Sequence, residues 1–347
     1  MRLAVILSYQ NLGASGDNPS VGAVLVREGK LIARARTQQG GRPHAERLAL
    51  EQAGEAARGA TLYVTLEPCA HEGRSGSCAK ALVAAGVARV VIACCDPNPR
   101  VDGQGISMLR AAGIEVEEGL LSKESEPVLR GFFTRMRLGR PWVMAKVAST
   151  LDGKIALGNG KSKWITGDRA RSYGHLLRAQ SDAILTASGT VLADNPRFDV
   201  RLKGLEVCSP LKVLLDPRGR VSPEALLFKG GPVLWVTYKP PSTLPANCEW
   251  LEYQSEDALL QQLGARGINR LMLEGGQGLF TSFLKHNFID ELAWFRASKL
   301  IGNDGHAALG PLGLEQMEDM LLWRCEAKQD LGCDTYTRYV RLRDERV

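Results

Sequence analysis

Two periodicities alternate along the chain. Short, mainly apolar runs rich in Val, Ile, Leu and Ala occur at 21–26, 60–66, 88–94, 142–148, 183–186, 211–215, 233–237 and 270–273. Such runs are the pattern of strands buried on both faces. Between them, apolar residues recur at helical spacing over 1–12, 44–53, 79–85, 106–112, a segment ending at Ala179, and 279–286. Glu28-Gly29-Lys30 turns the first run back onto 31–35, and 114–118 adds another strand. Asp17-Asn18-Pro19-Ser20 and Asp96-Pro97-Asn98-Pro99 are turn chemistry. Pro43 suits a helix first turn, and Thr166 or Asp168 suits an N-cap. The alternation predicts an α/β fold with crossover helices. From 124 to 140 the chain turns basic and ends in Gly139-Arg140-Pro141. That stretch is expected to be a solvated junction between a domain of residues 1–140 and one of residues 141–347.

Composition narrows the class. With 347 residues, 44% hydrophobic and 24% charged, the chain can bury two cores. A net charge of +6 suits small anionic ligands. Without basic patches interleaved with aromatics it gives no case for nucleic acid. No apolar run approaches about eighteen residues, and the apolar start is too short for a secretory leader, so a cytoplasmic protein without membrane spans is expected. Eight cysteines make no disulfide scaffold at this length, and a reducing compartment leaves thiols free for metal. Cys94, Cys95, Cys208, Cys248, Cys325 and Cys333 are expected to pack in cores as small apolar residues.

The candidate chemistry centres on residues 43–78, where Pro43-His44-Ala45-Glu46 is followed by Pro68-Cys69 and Cys78. One imidazole and two thiolates give one Zn2+ per chain three protein ligands, leaving the fourth position for water. Glu46 is not needed as a ligand and is the candidate proton carrier to a leaving amine. His-x-Glu with Pro-Cys and a further Cys is the signature of zinc base deaminases. Their usual two-residue cysteine spacing is here widened to eight. His71, inside that inserted loop, either meets substrate or ties the loop down.

In the second half, Glu274-Gly275-Gly276-Gln277-Gly278 follows a strand and opens a helix. Backbone N–H groups and the positive dipole end would face a phosphate there. The Gly-x-Gly-x-x-Gly fingerprint is missing, so a Rossmann domain is not supported. A plain tight turn accounts for the glycines equally well.

Read together, these motifs resemble the bifunctional riboflavin-biosynthesis deaminase/reductase family over almost the full chain. The first half carries Asn18-Pro19-Ser20-Val21-Gly22-Ala23-Val24, Pro43-His44-Ala45-Glu46, Tyr63-Val64-Thr65-Leu66-Glu67-Pro68-Cys69 and the wide cysteine loop. The second carries Ser149-Thr150-Leu151-Asp152-Gly153-Lys154, Trp164-Ile165-Thr166, Leu177-Arg178-Ala179, Thr190-Val191-Leu192-Ala193-Asp194-Asn195-Pro196 and Glu274-Gly275-Gly276. The resemblance implies a cytidine-deaminase-like three-layer α/β domain followed by a dihydrofolate-reductase-like α/β domain. The first would hydrolyse the C2 amine of 2,5-diamino-6-ribosylamino-4(3H)-pyrimidinone 5′-phosphate with zinc hydroxide. The second would use NADPH to reduce the ribose of 5-amino-6-(5-phosphoribosylamino)uracil to a ribityl chain.

By position, the resemblance makes His44, Cys69 and Cys78 the zinc ligands and Glu46 the general acid/base. It makes Asn18 and Asn98 pyrimidine-side contacts, beside which the loop residue His71 is the further substrate candidate, and Ala148, Trp164, Thr190, Asp194, Gly276, Gln277 and Gly278 cofactor positions. Ser162, Arg178, Phe198, Arg201 and Glu274 become positions for the reductase substrate. A guanidinium fork suits the 5′-phosphate at Arg178 and Arg201. Lys146, Asp194 and Glu274 remain alternatives for assisting the opened sugar. The implied partners are small pyrimidine ribosylamino 5′-phosphates and further copies of the chain, as a homodimer or higher homo-oligomer. Two features depart from the family. Ser75-Gly76-Ser77 stands where Thr-Pro-Pro is usual, which is expected to loosen the metal-free loop, and Lys80 replaces an acidic residue. The competing reading is a nucleobase or tRNA deaminase with a non-catalytic rear domain. Trp164, Asp194 and the Glu274 turn argue against it.

Overall fold

The computed structural model describes residues 1–71, 76–98 and 101–343. Ser75 of the altered loop and Pro99 of the Asp-Pro-Asn-Pro turn lie outside the described residues. The chain divides into two compact units, Met1–Pro141 with Gln261–Asn269, and Trp142–Leu260 with Arg270–Val347.

The first unit runs α1 (Arg2–Tyr9), β1 (Gly22–Arg27), β2 (Lys30–Arg36), α2 (Ala45–Ala53), β3 (Thr61–Leu66), α3 (Cys78–Ala85), β4 (Arg89–Cys94), α4 (Gln104–Ala111), β5 (Glu115–Glu118) and α5 (Ser122–Leu138). Its sheet has the order β2-β1-β3-β4-β5. β1 is antiparallel to β2 and β3, while β3, β4 and β5 are parallel. Alternate residues of β1 serve opposite faces. Val24 packs with Ala4 and Leu7 of α1, whereas Ala23 and Leu25 join Ala49 of α2, Leu82 of α3 and Leu109 of α4. Leu82 and Leu109 are fully buried, worth roughly 1.5–3 kcal/mol each. α1 crosses β1 so closely that a Cβ on Gly22 would lie 1.9 Å from the Ala4 carbonyl oxygen.

Two expectations for this unit need correction. The basic stretch before Pro141 is not a solvated junction. It folds into the 17-residue α5, with Val128, Leu129, Phe132 and Phe133 buried. This apolar stripe has helical spacing and outweighs the charges between. Pro43 precedes α2 and is not in its first turn, because His44 is the extended N-cap residue.

The second unit runs β6 (Trp142–Ser149), β7 (Lys154–Ala156), α6 (Asp168–Ala179), β8 (Ala183–Ala187), α7 (Ser188–Asp194), β9 (Leu211–Leu215), β10 (Val233–Thr237), β11 (Cys248–Glu252), α8 (Glu256–Ala265, its residues from Gln261 counted with the first unit), β12 (Arg270–Leu273), α9 (Gln277–Lys285), β13 (Glu291–Ala297), β14 (His306–Ala307), β15 (Trp323–Leu331) and β16 (Asp334–Arg341). The large sheet has the order β11-β10-β9-β8-β12-β6-β13-β16-β15. It is parallel from β11 to β13, and β16 and β15 then pair antiparallel. Ile184, Leu214, Met272 and Phe295 carry its core. α6 is not capped by Thr166 or Asp168. Gly167 is the N-cap, its N–H donating to the Asp334 carboxylate at 2.6 Å. α9 begins at Gln277, two residues before the helical pattern does. Among the cysteines expected in cores, Cys95, Cys325 and Cys333 are exposed and the other three half-buried. A thiol at a strand end or on an edge strand faces outward as readily as inward.

Candidate active sites

The first site is assembled at the ends of α2, β3 and α3. His44 caps α2, Cys69 follows β3 by three residues, and Cys78 opens α3. His44 Nδ1 lies 3.8 Å from Cys69 Sγ and 3.4 Å from Cys78 Sγ. The three donor atoms fall within 4.8 Å of one another. Tetrahedral zinc bond lengths separate such donors by about 3.5–3.8 Å, so the set fits the ion. Ser77 holds the cysteines together. Its hydroxyl donates to the Cys69 carbonyl at 2.9 Å and accepts the Lys80 N–H at 3.2 Å as the N-cap of α3. The departure at this position thus adds two hydrogen bonds to the ligand turn. The hydrogen bond from the Cys78 thiol, then that from His44, pulls Cys69 down to about 4 against burial. Cys78, the donor, is raised.

Glu46 sits in the first turn of α2 and is 4% exposed. Burial pushes its carboxyl up to about 7, with His44 opposing and Cys69 adding to the rise. A carboxyl poised there exchanges protons near neutral pH. His44, Glu46, Cys69, Asn18, His71 and Asn98 line one cavity of about 310 Å3. The six first-half candidates other than buried Cys78 are therefore brought together. Sequence reasoning named the Asp96 turn without assigning Asp96, which also lines this cavity. Burial lifts Asp96 to about 6, and its carboxylate accepts the Asn98 N–H at 2.8 Å.

In the second unit, the candidates gather at the carboxyl ends of parallel strands, where α/β sheets bind ligands. Thr190 lies in α7 just after β8, and a Cβ on Gly275 would come within 3.5 Å of its hydroxyl. Gly276 caps α9, and Gln277 and Gly278 form its first turn. The Gln277 amide donates to the Leu309 carbonyl at 3.2 Å. Half-buried Ala148 is on β6, and exposed Asp194 ends α7. Trp164, 65% exposed, has the Arg171 guanidinium 4.5 Å from its ring centre, and Ser162 is half-buried two residues earlier.

The substrate candidates hold one another. Arg178 grips Glu274 bidentately, Nε to Oε2 and Nη2 to Oε1, both 2.9 Å. Its Nη1 donates to the Asp199 carbonyl at 3.0 Å, and it stacks 5.5 Å from the buried Phe198 ring. Lys146 reaches Glu274 Oε1 at 3.3 Å. Burial would raise the Glu274 carboxyl, but Arg178 and then Lys146 hold it well below the usual carboxylate range. The Arg178 fork is thus occupied within the protein. Arg201, exposed and paired with Asp199 at 2.8 Å, presents its guanidinium to solvent. His175, which sequence reasoning missed, accepts the Arg201 N–H at 3.3 Å. Its place three residues before Arg178 on α6 was the available signal.

Comparison with known proteins identifies the family of each half. Residues 1–94 match the cytidine and deoxycytidylate deaminase zinc-binding region, and residues 141–337 match the RibD C-terminal domain. The riboflavin biosynthesis protein RibD of Haemophilus influenzae is 40% identical, over 97% of this chain and 96% of its own. That of Escherichia coli is 38% identical, over 96% of each. The solved structure of Acinetobacter baumannii RibD superposes with a TM-score of 0.92 at 39% identity, covering 99% of this chain and 98% of that one. A Thermotoga maritima diaminohydroxyphosphoribosylaminopyrimidine deaminase/5-amino-6-(5-phosphoribosylamino)uracil reductase gives 0.89 at 35%, covering 99% and 97%. The chain belongs to the RibD family of bifunctional riboflavin-biosynthesis enzymes, a zinc-binding deaminase joined to a reductase.

Proposed function

We propose that the first unit removes the C2 amine of the diaminopyrimidinone ribosylamino phosphate and the second reduces the deaminated product with NADPH. The observation that carries this is Glu46, buried beside the His44–Cys69–Cys78 cluster on a cavity also lined by Asn18, His71 and Asn98. Zinc held there supplies a water acidified to near neutrality. Glu46 takes a proton at its carboxylate and returns it to the leaving amine, while Asn18 and Asn98 hold the ring by its polar edges. In the second unit, NADPH supplies the hydride. Ala148, Trp164, Thr190, Asp194 and the Gly276–Gly278 turn seat the cofactor. Arg201 takes the 5′-phosphate in preference to Arg178, whose fork is filled by Glu274. Ser162 and Phe198 border the sugar.

The test is ammonia release from the diaminopyrimidine nucleotide in zinc-replete buffer, with and without NADPH. Release that does not need NADPH, followed by NADPH consumption, is expected; ammonia from tRNA or a free base instead would sink the reading.

The chain acts in the cytoplasm as a homodimer. No helix among the described residues is long and apolar enough to cross a membrane. Leu309, Leu314, Met320, Trp323 and Tyr339 help line an apolar hollow of about 470 Å3, and Met317 and Leu322 stand exposed in the same segment. A second copy would cover such a surface. A dimer mass by sedimentation, reduced to monomer in Met320→Glu, is expected.

A further inference from the structure

Glu67 belongs to neither the metal set nor the proton path, yet it is a carboxylate only 3% exposed on the wall of the deaminase cavity. Four backbone N–H groups converge on it. Oε2 accepts from Asp96 at 3.3 Å and Gly103 at 3.2 Å, and Oε1 accepts from Gly105 at 3.0 Å and Ile106 at 3.2 Å. Its own N–H donates to the Cys94 carbonyl at 2.9 Å. No side-chain cation takes part in these bonds. The charge is met by aligned amides at the start of α4, where the helix dipole also favours an anion.

The four donors lie on both sides of the turn that carries Asn98. Asp96 is two residues before it, and Gly103 begins the entry to α4. The approach is close. A Cβ on Gly105 would lie 2.0 Å from the Pro68 carbonyl oxygen and 3.1 Å from Glu67 Oε1. Glu67 also stands two residues before Cys69. One buried carboxylate thus ties the Asp96–Asn98 wall to the strand end that presents a zinc ligand.

We propose that Glu67 is a positioning residue for the deaminase: it fixes the pyrimidine-facing wall relative to the metal turn and so sets substrate affinity. This rests on the reading of Asn98 as a ring contact. The amide of Gln would keep one acceptor and turn an NH2 onto two of the four N–H groups. The wall would then shift, while the cysteines stay tied through Ser77.

The experiment measures Glu67→Gln, Gly105→Ala and Asn98→Ala in the full chain, with zinc content, deaminase kcat and KM, and reductase kcat/KM on the deaminated product. The expected result for Glu67→Gln is one zinc per chain, reductase activity unchanged, deaminase kcat within about three-fold and KM raised at least ten-fold. Gly105→Ala is expected to repeat that split, and it decides the matter if Glu67→Gln does not fold. A wild-type KM in Glu67→Gln and Gly105→Ala, with KM raised in Asn98→Ala, would overturn the anchor alone. A wild-type KM in all three would overturn the wall on which it rests. Loss of zinc together with kcat would make Glu67 a part of the metal turn instead.

Discussion

Glu46 and Glu274 are both carboxylates withdrawn from water, and their surroundings drive them in opposite directions. Around Glu46 burial dominates, and the carboxyl rises to about 7. Around Glu274 the same burial is overcome by Arg178 and Lys146, and the carboxyl stays ionised far below neutrality. The first arrangement leaves a proton free to move. The second fixes a charge and, with it, the shape of the reductase site. Burial alone therefore does not identify a proton carrier; the number of cations within reach does.

The largest expected effect is on Glu46→Gln. Deaminase kcat should fall about 10²–10⁴-fold, with zinc retained and reductase activity intact. Retained deamination would remove Glu46 from the proton path. Next comes Glu274→Gln, which leaves the buried Arg178 guanidinium uncompensated. Breaking a buried pair in this way costs about 3–5 kcal/mol, read as a lower denaturation midpoint at pH 7. A loss under about 1 kcal/mol would mean the pair is not a lock.

The third prediction sets Asp96, on the same cavity as Glu46, against Glu274 by pH. Asp96 has a raised folded pKa of about 6, so between about pH 4 and 6 the folded chain binds more protons at this site than the unfolded chain. Its contribution to stability falls as pH rises through that window. Glu274 is depressed, so its contribution is complete above about pH 5 and is lost as pH falls below the unfolded value. Asp96→Asn is therefore expected to gain about 1–3 kcal/mol relative to the parent between pH 4 and pH 8. An identical pH profile for the two proteins would show that Asp96 is solvated. The smallest effect is at Ser77, where replacement by Ala removes a helix cap worth about 1 kcal/mol, measured as lowered thermal stability of the first unit.

The zinc set was legible because its chemistry is spelled by residue type: one imidazole, two thiols and a spare carboxylate. Most of the parallel strands were legible because strands buried on both faces leave mainly apolar runs, although β11 and β13 were not read from the sequence. α5 was not, because charges spaced between its buried apolar residues dominate a linear reading. Nor were β15 and β16, where charged and polar residues leave no long apolar run. The Arg178–Glu274 pair joins residues 96 positions apart, and no local pattern announces a contact at that range. Glu67 was quoted within a motif, but its four amide partners become visible only once the backbone of α4 is placed.

The strand order of the second unit bears on how the enzyme is made. β12 pairs between β8 and β6, yet it is synthesised after β8, β9, β10 and β11. Until Arg270–Leu273 leaves the ribosome, β6 and β8 each lack a neighbour and present open edges, the condition under which nascent chains aggregate. Arg178 and Lys146 wait as well, because Glu274 arrives with that strand. The first unit, whose strand order follows the chain closely, can pair its sheet long before.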